Sequence, residues 1–427
     1  MRYFPKIGLP FDLKERRTEY LLLLLATLIQ GFTWFLVIPV LPLYARHLGA
    51  QEFLVGVIMS VPALLQLFLS IPSGLLSARF GKRRLIILSF WVNFLSGFLY
   101  IFSPSAWFLL LAQFLFGLGN TLFWPLQGAY LTQLVNDEER SRVVGFTMGV
   151  VATSFALAPF VAGGLADLVG FGPVFWILSI ISLLGGVLVQ RLPCDRGNGD
   201  IRISLTGILS GSFSEAKNLL KSSALRFTNA STYLTFLFWG TYDAFYPLFV
   251  VNGLGYSPAF LGFLVTSRNA MLALVRFFVN SLGRRFSFPL LMVGSLAIGG
   301  MGMFLLPWVR TSHWLILLAL VTGVAVGILP TATTLVIAAN TDDRRRATAL
   351  ALDGTSLSLG RLTSAYVFGY LAQRAGIPLV FRLVGLTVLL GILVLGRLHQ
   401  RASDSRAPTF GGQGDRQWNK VNRPSQP

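Results

Sequence analysis

Residues 73–86 read SGLLSARFGKRRLI. An apolar run ends near Gly74, and four cations follow within six residues: Arg79, Lys82, Arg83 and Arg84. An apolar stretch that stops on a cation cluster is the sequence form of a membrane span meeting a charged loop. The rest of the chain repeats that form. It has 427 residues, of which 54% are hydrophobic and only 12% charged, with a mean hydropathy of +0.67. Soluble domains carry about a quarter charged residues, and a large soluble helical protein would need polar helix faces that these runs lack.

Twelve apolar runs are long enough to span a bilayer: 20–44, 52–77, 85–103, 106–133, 143–168, 172–190, 228–251, 258–282, 287–307, 313–338, 347–372 and 379–397. The first run is too long for a signal-peptide core and lacks a small-residue cleavage site, so it reads as a retained helix. An even number puts both termini on one side. That side holds 28 of the 35 lysines and arginines and the opposite loops hold four, namely Arg46, Arg310, Arg374 and Arg382. The asymmetry predicts cytoplasmic termini in the plasma membrane. It also accounts for the net charge of +18 without nucleic acid, because the cations are spread over short loops. The single cysteine, Cys194, excludes an internal disulfide.

The two halves of the chain match. An offset of 205 superposes Trp34 on Trp239, Pro42 on Pro247, Pro125 on Pro330 and Gly164 on Gly369, and brings Asp137-x-x-Arg140 onto Asp342-x-x-Arg345. An offset of 206 superposes Gly56 on Gly262, Leu76 on Leu282 and Arg79-Phe80 on Arg285-Phe286. The fold expected is an all-α membrane protein of twelve transmembrane helices, built as two pseudo-symmetric six-helix bundles at 20–190 and 228–397. Such a repeat places a binding site between the halves near the bilayer midplane. Residues 1–19 form a cytoplasmic N-terminus, and 191–227 a linker in which Ser212 and Glu215 cap a short surface helix. Residues 398–427 read as a polar, disordered tail.

At this point the chain resembles the major facilitator superfamily of secondary transporters over about residues 18–400. The loop after the second span is similar to that family's G-x-L-A-D-R-x-G-R-K pattern at Gly74, Leu76, Arg79, Gly81 and Lys82, with Ala78 in place of the acid. Asp137-Glu138-Glu139-Arg140-Ser141-Arg142 is similar to its second cytoplasmic loop signature. In span five, Pro159 and Gly163 fit the antiporter motif G-P-x-x-G-G, although Ala158 and Ala162 replace glycines. Those small residues also suit close helix packing. The nearest resemblance is to drug/proton antiporter-type exporters. The resemblance implies cavity-lining roles for spans one, four, seven and ten, and makes spans seven and eleven neighbours. Two replacements argue against standard proton antiport: Ala78 for the loop acid, and Gln113 where the family's span four carries arginine.

Charges inside a membrane are costly and mark function by default. Spans one to six hold only amides (Gln30, Asn93, Gln113, Asn120, Gln127), whereas the second half holds Asp243, Arg268, Arg276, Asp353 and Arg361. By helix rise, Asp243, Arg268 and Arg361 lie about 21 Å from the cytoplasmic ends of their spans, and Arg276 and Asp353 about 9 Å. Asp243 with Arg361 is the expected pair, with Arg268 nearer to substrate. Both a structural ion pair and a pair that breaks during transport remain open. Asp353 with Arg276 is the candidate inner gate, alongside the loop residues Gly74, Arg79, Gly81 and Lys82. Asp243, as the only midplane acid, is the candidate proton carrier; Asp243→Asn is expected to abolish pH-driven transport and leave folding intact. Trp34, Trp124, Gln127, Trp239 and Tyr242 complete the substrate candidates, an aromatic wall suited to an amphipathic organic molecule.

No His/Cys cluster has metal-ligand spacing, no phosphate-cradling loop is present, and no nucleophile–base set is found. The sequence therefore predicts no enzyme and no cofactor. It predicts a monomeric secondary transporter in a lipid bilayer that moves a small organic molecule by alternating access, as an ion-coupled exporter with protons the candidate ion. The alternatives are a uniporter or importer of an organic anion, and a transporter-like sensor or scaffold. Substrate, direction and coupling ion are open at this level.

Overall fold

The computed structural model describes residues 16–135, 137–193 and 217–404. The extreme N-terminus, Cys194, the helix capped by Ser212 and Glu215, and the tail beyond Asp404 lie outside the described residues.

The spans are Arg17–Val37 continued by Leu41–His47, Glu52–Phe80, Lys82–Ile101, Leu109–Gln133, Asp137–Leu168, Gly172–Val189, Ser223–Leu248, Pro258–Arg285, Phe288–Leu305, Ser312–Ala339, Asp343–Ala375 and Ile377–Asp404. We number them one to twelve. Eleven are long and apolar enough to cross a membrane. Span eleven is too polar to qualify, carrying Asp353 and Arg361. It is nonetheless a continuous helix, with a π-helical turn at Ser364–Phe368; it packs on spans two and seven and leaves Leu359, Val367 and Tyr370 exposed.

Span one departs from the single helix expected over 20–44. It breaks at Ile38–Val40, and Pro42 starts a second short helix. Proline removes one backbone donor and crowds the preceding turn. Its repeat mate Pro247 sits just before a second π-helical turn, Phe249–Gly253.

The repeat is visible in the packing. In the first half span one packs on spans five and six, span two on four, and span three on four and six. In the second half span seven packs on eleven and twelve, span eight on ten, and span nine on ten and twelve. Each pairing recurs six spans later. The loop glycines recur as well: Gly49 (φ 86°) and Gly255 (φ 77°), then Gly170 (φ 94°) and Gly376 (φ 85°), are pairs offset by 206 residues. All four adopt a left-handed backbone that a side chain would disfavour. The halves meet through span five on eight and span two on eleven, which are each other's images under the same repeat.

Burial follows position. In span seven 83% of the apolar window is buried, against 33% in span twelve, so the former is central and the latter faces outward. Phe68, Trp107, Leu168, Phe277 and Leu393 are among the large apolar side chains left exposed, as a lipid-facing surface requires.

Candidate functional site

The end of the molecule opposite the termini is closed by contacts too tight for side chains. A Cβ on Gly56 would lie 2.6 Å from the Ala365 carbonyl oxygen, and one on Gly262 would lie 2.5 Å from that of Pro159. Gly163 packs in turn on the Gly262 backbone. The antiporter-like Pro159 and Gly163 therefore act as packing residues between spans five and eight. Gln51 and Gln373 hydrogen-bond across the same end.

Below this closure lies a cavity of about 210 Å³, lined by Trp34, Pro62, Gln66, Asn120, Thr121, Trp124, Pro125, Leu357 and Arg361. A narrow extension of about 20 Å³ reaches from Trp34 and Arg361 toward Gln113, Asp243 and the Gly56–Ala365 contact. Arg361 thus sits at the apex, four residues or about 6 Å before Ala365.

Three of the predicted midplane charges meet here. Asp243 lies 3.6 Å from Arg268 through Oδ1 and 3.9 Å from Arg361 through Oδ2. The Trp239 indole N–H also donates to Asp243 Oδ1 at 3.1 Å. The carboxylate is therefore shared by two guanidinium groups. The expectation that Arg268 faces the substrate is reversed. The Arg268 side chain is 3% exposed and its guanidinium lies over the rings of Tyr242 (4.3 Å) and Trp239 (5.2 Å). Arg361 is the arginine on the cavity wall, 16% exposed, with Phe236 at 5.4 Å and Trp34 at 6.0 Å. Both helices border the other half; the difference is that the Arg268 guanidinium is covered by Tyr242 and Trp239 of span seven, whereas Arg361 lines the cavity.

The aromatic candidates divide in the same way. Trp34, stacked on Phe116 at 5.6 Å, and Trp124 line the cavity. Trp239, the repeat mate of Trp34, does not; the position matching Trp124 is Leu329. Trp239 is stacked on Phe236 and, with Tyr242, is buried in the second half. Tyr242 stacks on Tyr246 at 4.1 Å. Gln127 is buried, and its amide nitrogen has no partner among the described residues.

The candidate inner gate is not assembled. Asp353 accepts a hydrogen bond from Thr232 of span seven at 2.6 Å, and Arg276 forms no ion pair with it. They share a depth, but span eight packs on spans five and ten while span eleven packs on seven and two. Equal depth on helices that do not touch makes no pair. In the loop motif, Gly74 lies within span two, Gly81 (φ 85°) makes the corner into span three, Arg79 lies over Phe80, and Lys82 opens the next helix.

One polar feature follows from no single motif. Asn93 donates to Gln30 at 3.1 Å, Gln30 to Asn120 at 2.9 Å, and Asn120 to the Phe116 carbonyl at 2.8 Å. This amide chain backs the first-half wall, and Asn120 opens onto the cavity. The residues stand out in the sequence as amides in apolar spans, but their pairing across spans one, three and four does not. Gln113, which replaces the family arginine, accepts from the Tyr100 hydroxyl. Pro62 and Gln66 complete the wall from span two, with no sequence signal to single them out.

Two six-helix repeats around a midplane polar cavity, closed at one end, have the architecture of a secondary transporter. The sequence profile of the Major Facilitator Superfamily matches residues 23–210 and 229–425, and the chain belongs to that family. It is 24% identical over 370 residues to an uncharacterised MFS-type transporter of Methanocaldococcus jannaschii, covering 85% of this chain and 93% of that one. It is 24% identical over 419 residues to the class H tetracycline resistance protein of Pasteurella multocida, covering 91% and 98%. A crystal structure of a POT family transporter in complex with a thioalcohol-conjugated peptide superposes with a TM-score of 0.76 at 14% identity, covering 90% and 96%. The protein is a multi-pass membrane transporter and not an enzyme.

Proposed function

We propose that this transporter exports a small amphipathic organic compound across the plasma membrane by alternating access, with Asp243 in the coupling step. The observation that carries the reading is the cavity. Two tryptophans, Trp34 and Trp124, line about 210 Å³ together with Asn120, Gln66 and the Arg361 side chain. An apolar wall with a few convergent polar groups suits an amphipathic guest. The likeness to a tetracycline resistance protein supports export and makes tetracycline the first probe. The cavity lies on the side of the termini, which the charge asymmetry assigns to the cytoplasm.

The test is tetracycline flux in proteoliposomes, with and without an imposed pH gradient. Gradient-driven flux is expected in the parent, and its loss in the Asp243→Asn/Arg268→Gln double variant, which removes the acid while keeping the cluster charge. Tetracycline that does not move would sink the export reading. A second reading, uniport, is favoured by Gln113 and Ala78, which stand where the resemblance implies an arginine and an acid. It predicts tetracycline flux indifferent to the gradient.

A further inference from the structure

We infer that the transported compound carries one anionic group, and that this group seats on Arg361 at the apex of the cavity. The inference rests on the transport reading above and names its substrate class. It begins with a charge count. Asp243, Arg268 and Arg361 lie within ion-pair distance and together carry one excess positive charge. Among the described residues no other acid touches the cluster; Asp353 lies eight residues before Arg361 on the same helix, about 12 Å away, and is bonded to Thr232. An unmatched charge in a membrane interior is costly, so the cluster is incomplete in electrostatic terms.

Geometry says which arginine the missing charge meets. Arg268 is enclosed by Tyr242 and Trp239. Arg361 lines both the cavity and its narrow extension, and its buried Nε has no hydrogen-bond acceptor among the described residues. Its one counter-charge, Asp243, stands at 3.9 Å, longer than a direct charge-assisted hydrogen bond of about 2.7–2.9 Å. A guanidinium presents a planar fork that matches a carboxylate or phosphate face. The rest of the compound would lie on the termini side, against Trp34 and Trp124. The other polar groups on that wall, Gln66, Asn120 and Thr121, are neutral. The site therefore discriminates for one negative charge and against a cation.

Three probes of one shape separate charge from fit: 2-naphthoate, the neutral 2-naphthamide and the cationic 2-naphthylmethylamine. Binding is measured on the full chain in detergent by titration calorimetry. Naphthoate is expected to bind at least tenfold more tightly than the amide, and the amine most weakly. Arg361→Gln removes the preference, and Arg361→Lys keeps part of it. Asp243→Asn raises the cluster charge and tightens naphthoate further. If that variant fails to fold, Asp243→Asn/Arg268→Gln, which restores the parent charge, keeps the carboxylate preference. Equal binding of naphthoate and naphthamide, no binding of any probe, or a preference that survives Arg361→Gln overturns the inference. Tetracycline flux without a carboxylate preference would leave the transport reading standing and remove only this one; a carboxylate preference without tetracycline flux would do the reverse.

Discussion

At the scale of single residues, Asp243 is one carboxylate with two guanidinium neighbours, and removing different members has opposite consequences. Asp243→Asn strands two buried cations. Breaking a buried pair from one side costs about 3–5 kcal/mol, so thermal unfolding of this variant is expected well below the parent. The sequence alone suggests that this substitution leaves folding intact; with two guanidinium groups around the carboxylate, a loss of stability is the expected outcome instead. Arg361→Gln instead leaves the neutral Asp243–Arg268 pair, and its stability is expected to stay within about 1 kcal/mol of the parent. A large loss in Arg361→Gln would show that its ion pair is structural. On the opposite wall, Asn120→Ala leaves the Gln30 amide nitrogen buried without its acceptor. A loss of about 1–3 kcal/mol is expected in the same melting experiment, alongside weaker binding.

At the scale of helices, the closed end depends on spans two and eight approaching their partners backbone to backbone. A methyl group at Gly262 would meet the Pro159 carbonyl at 2.5 Å, and one at Gly56 would meet that of Ala365 at 2.6 Å. Neither contact is with a side chain that can swing aside, so a substituent there must push the helices apart. Gly262→Ala and Gly56→Ala are expected to favour the state open at this end. The check is labelling of a cysteine introduced at Phe53, near the closure, by a membrane-impermeant maleimide. Faster labelling in the alanine variants than in the glycine parent supports the closure, and unchanged labelling refutes it. The π-helical turn at Ser364–Phe368 begins three residues after Arg361 and contains Ala365, the residue that Gly56 meets. A change in how Arg361 is paired therefore acts on the element that forms the seal, and π turns often mark such functional positions.

At the scale of the whole molecule, the two halves present the same surfaces to each other by a two-fold relation, so closing one end can open the other without rebuilding either bundle. Span five on eight and span two on eleven are the paired contacts that must exchange. With Cys194 replaced, spin labels at Gln51 and Gln373, hydrogen-bonded here, are expected to separate when the cavity opens to the far side. Labels at Gly149 and Phe277, which adjoin on spans five and eight, are expected to move by a different amount. A fixed distance at both pairs under every ligand condition would refute rocking of the halves.

The sequence by itself determined the apolar spans, the charge asymmetry, the repeat and the presence of three costly charges at one depth. These are properties of periodicity and composition, and each is written along the chain. It could not determine which groups at equal depth touch. Asp243 and Arg361 pair because spans seven and eleven pack together, whereas Asp353 and Arg276 do not because spans eleven and eight are kept apart. Nor could it show that Arg268 turns into the second half while Arg361 turns to the cavity. Helical depth is a one-dimensional quantity fixed by residue count, but the facing of a side chain depends on which neighbours surround its helix. The acid missing at Ala78, in SGLLSARFGKRRLI, and the arginine missing at Gln113, in AQFLFGLGN, were legible once the chain was set against the family it resembles. That the remaining charges form one unbalanced cluster at the end of a cavity was decided only by the packing of four helices around it.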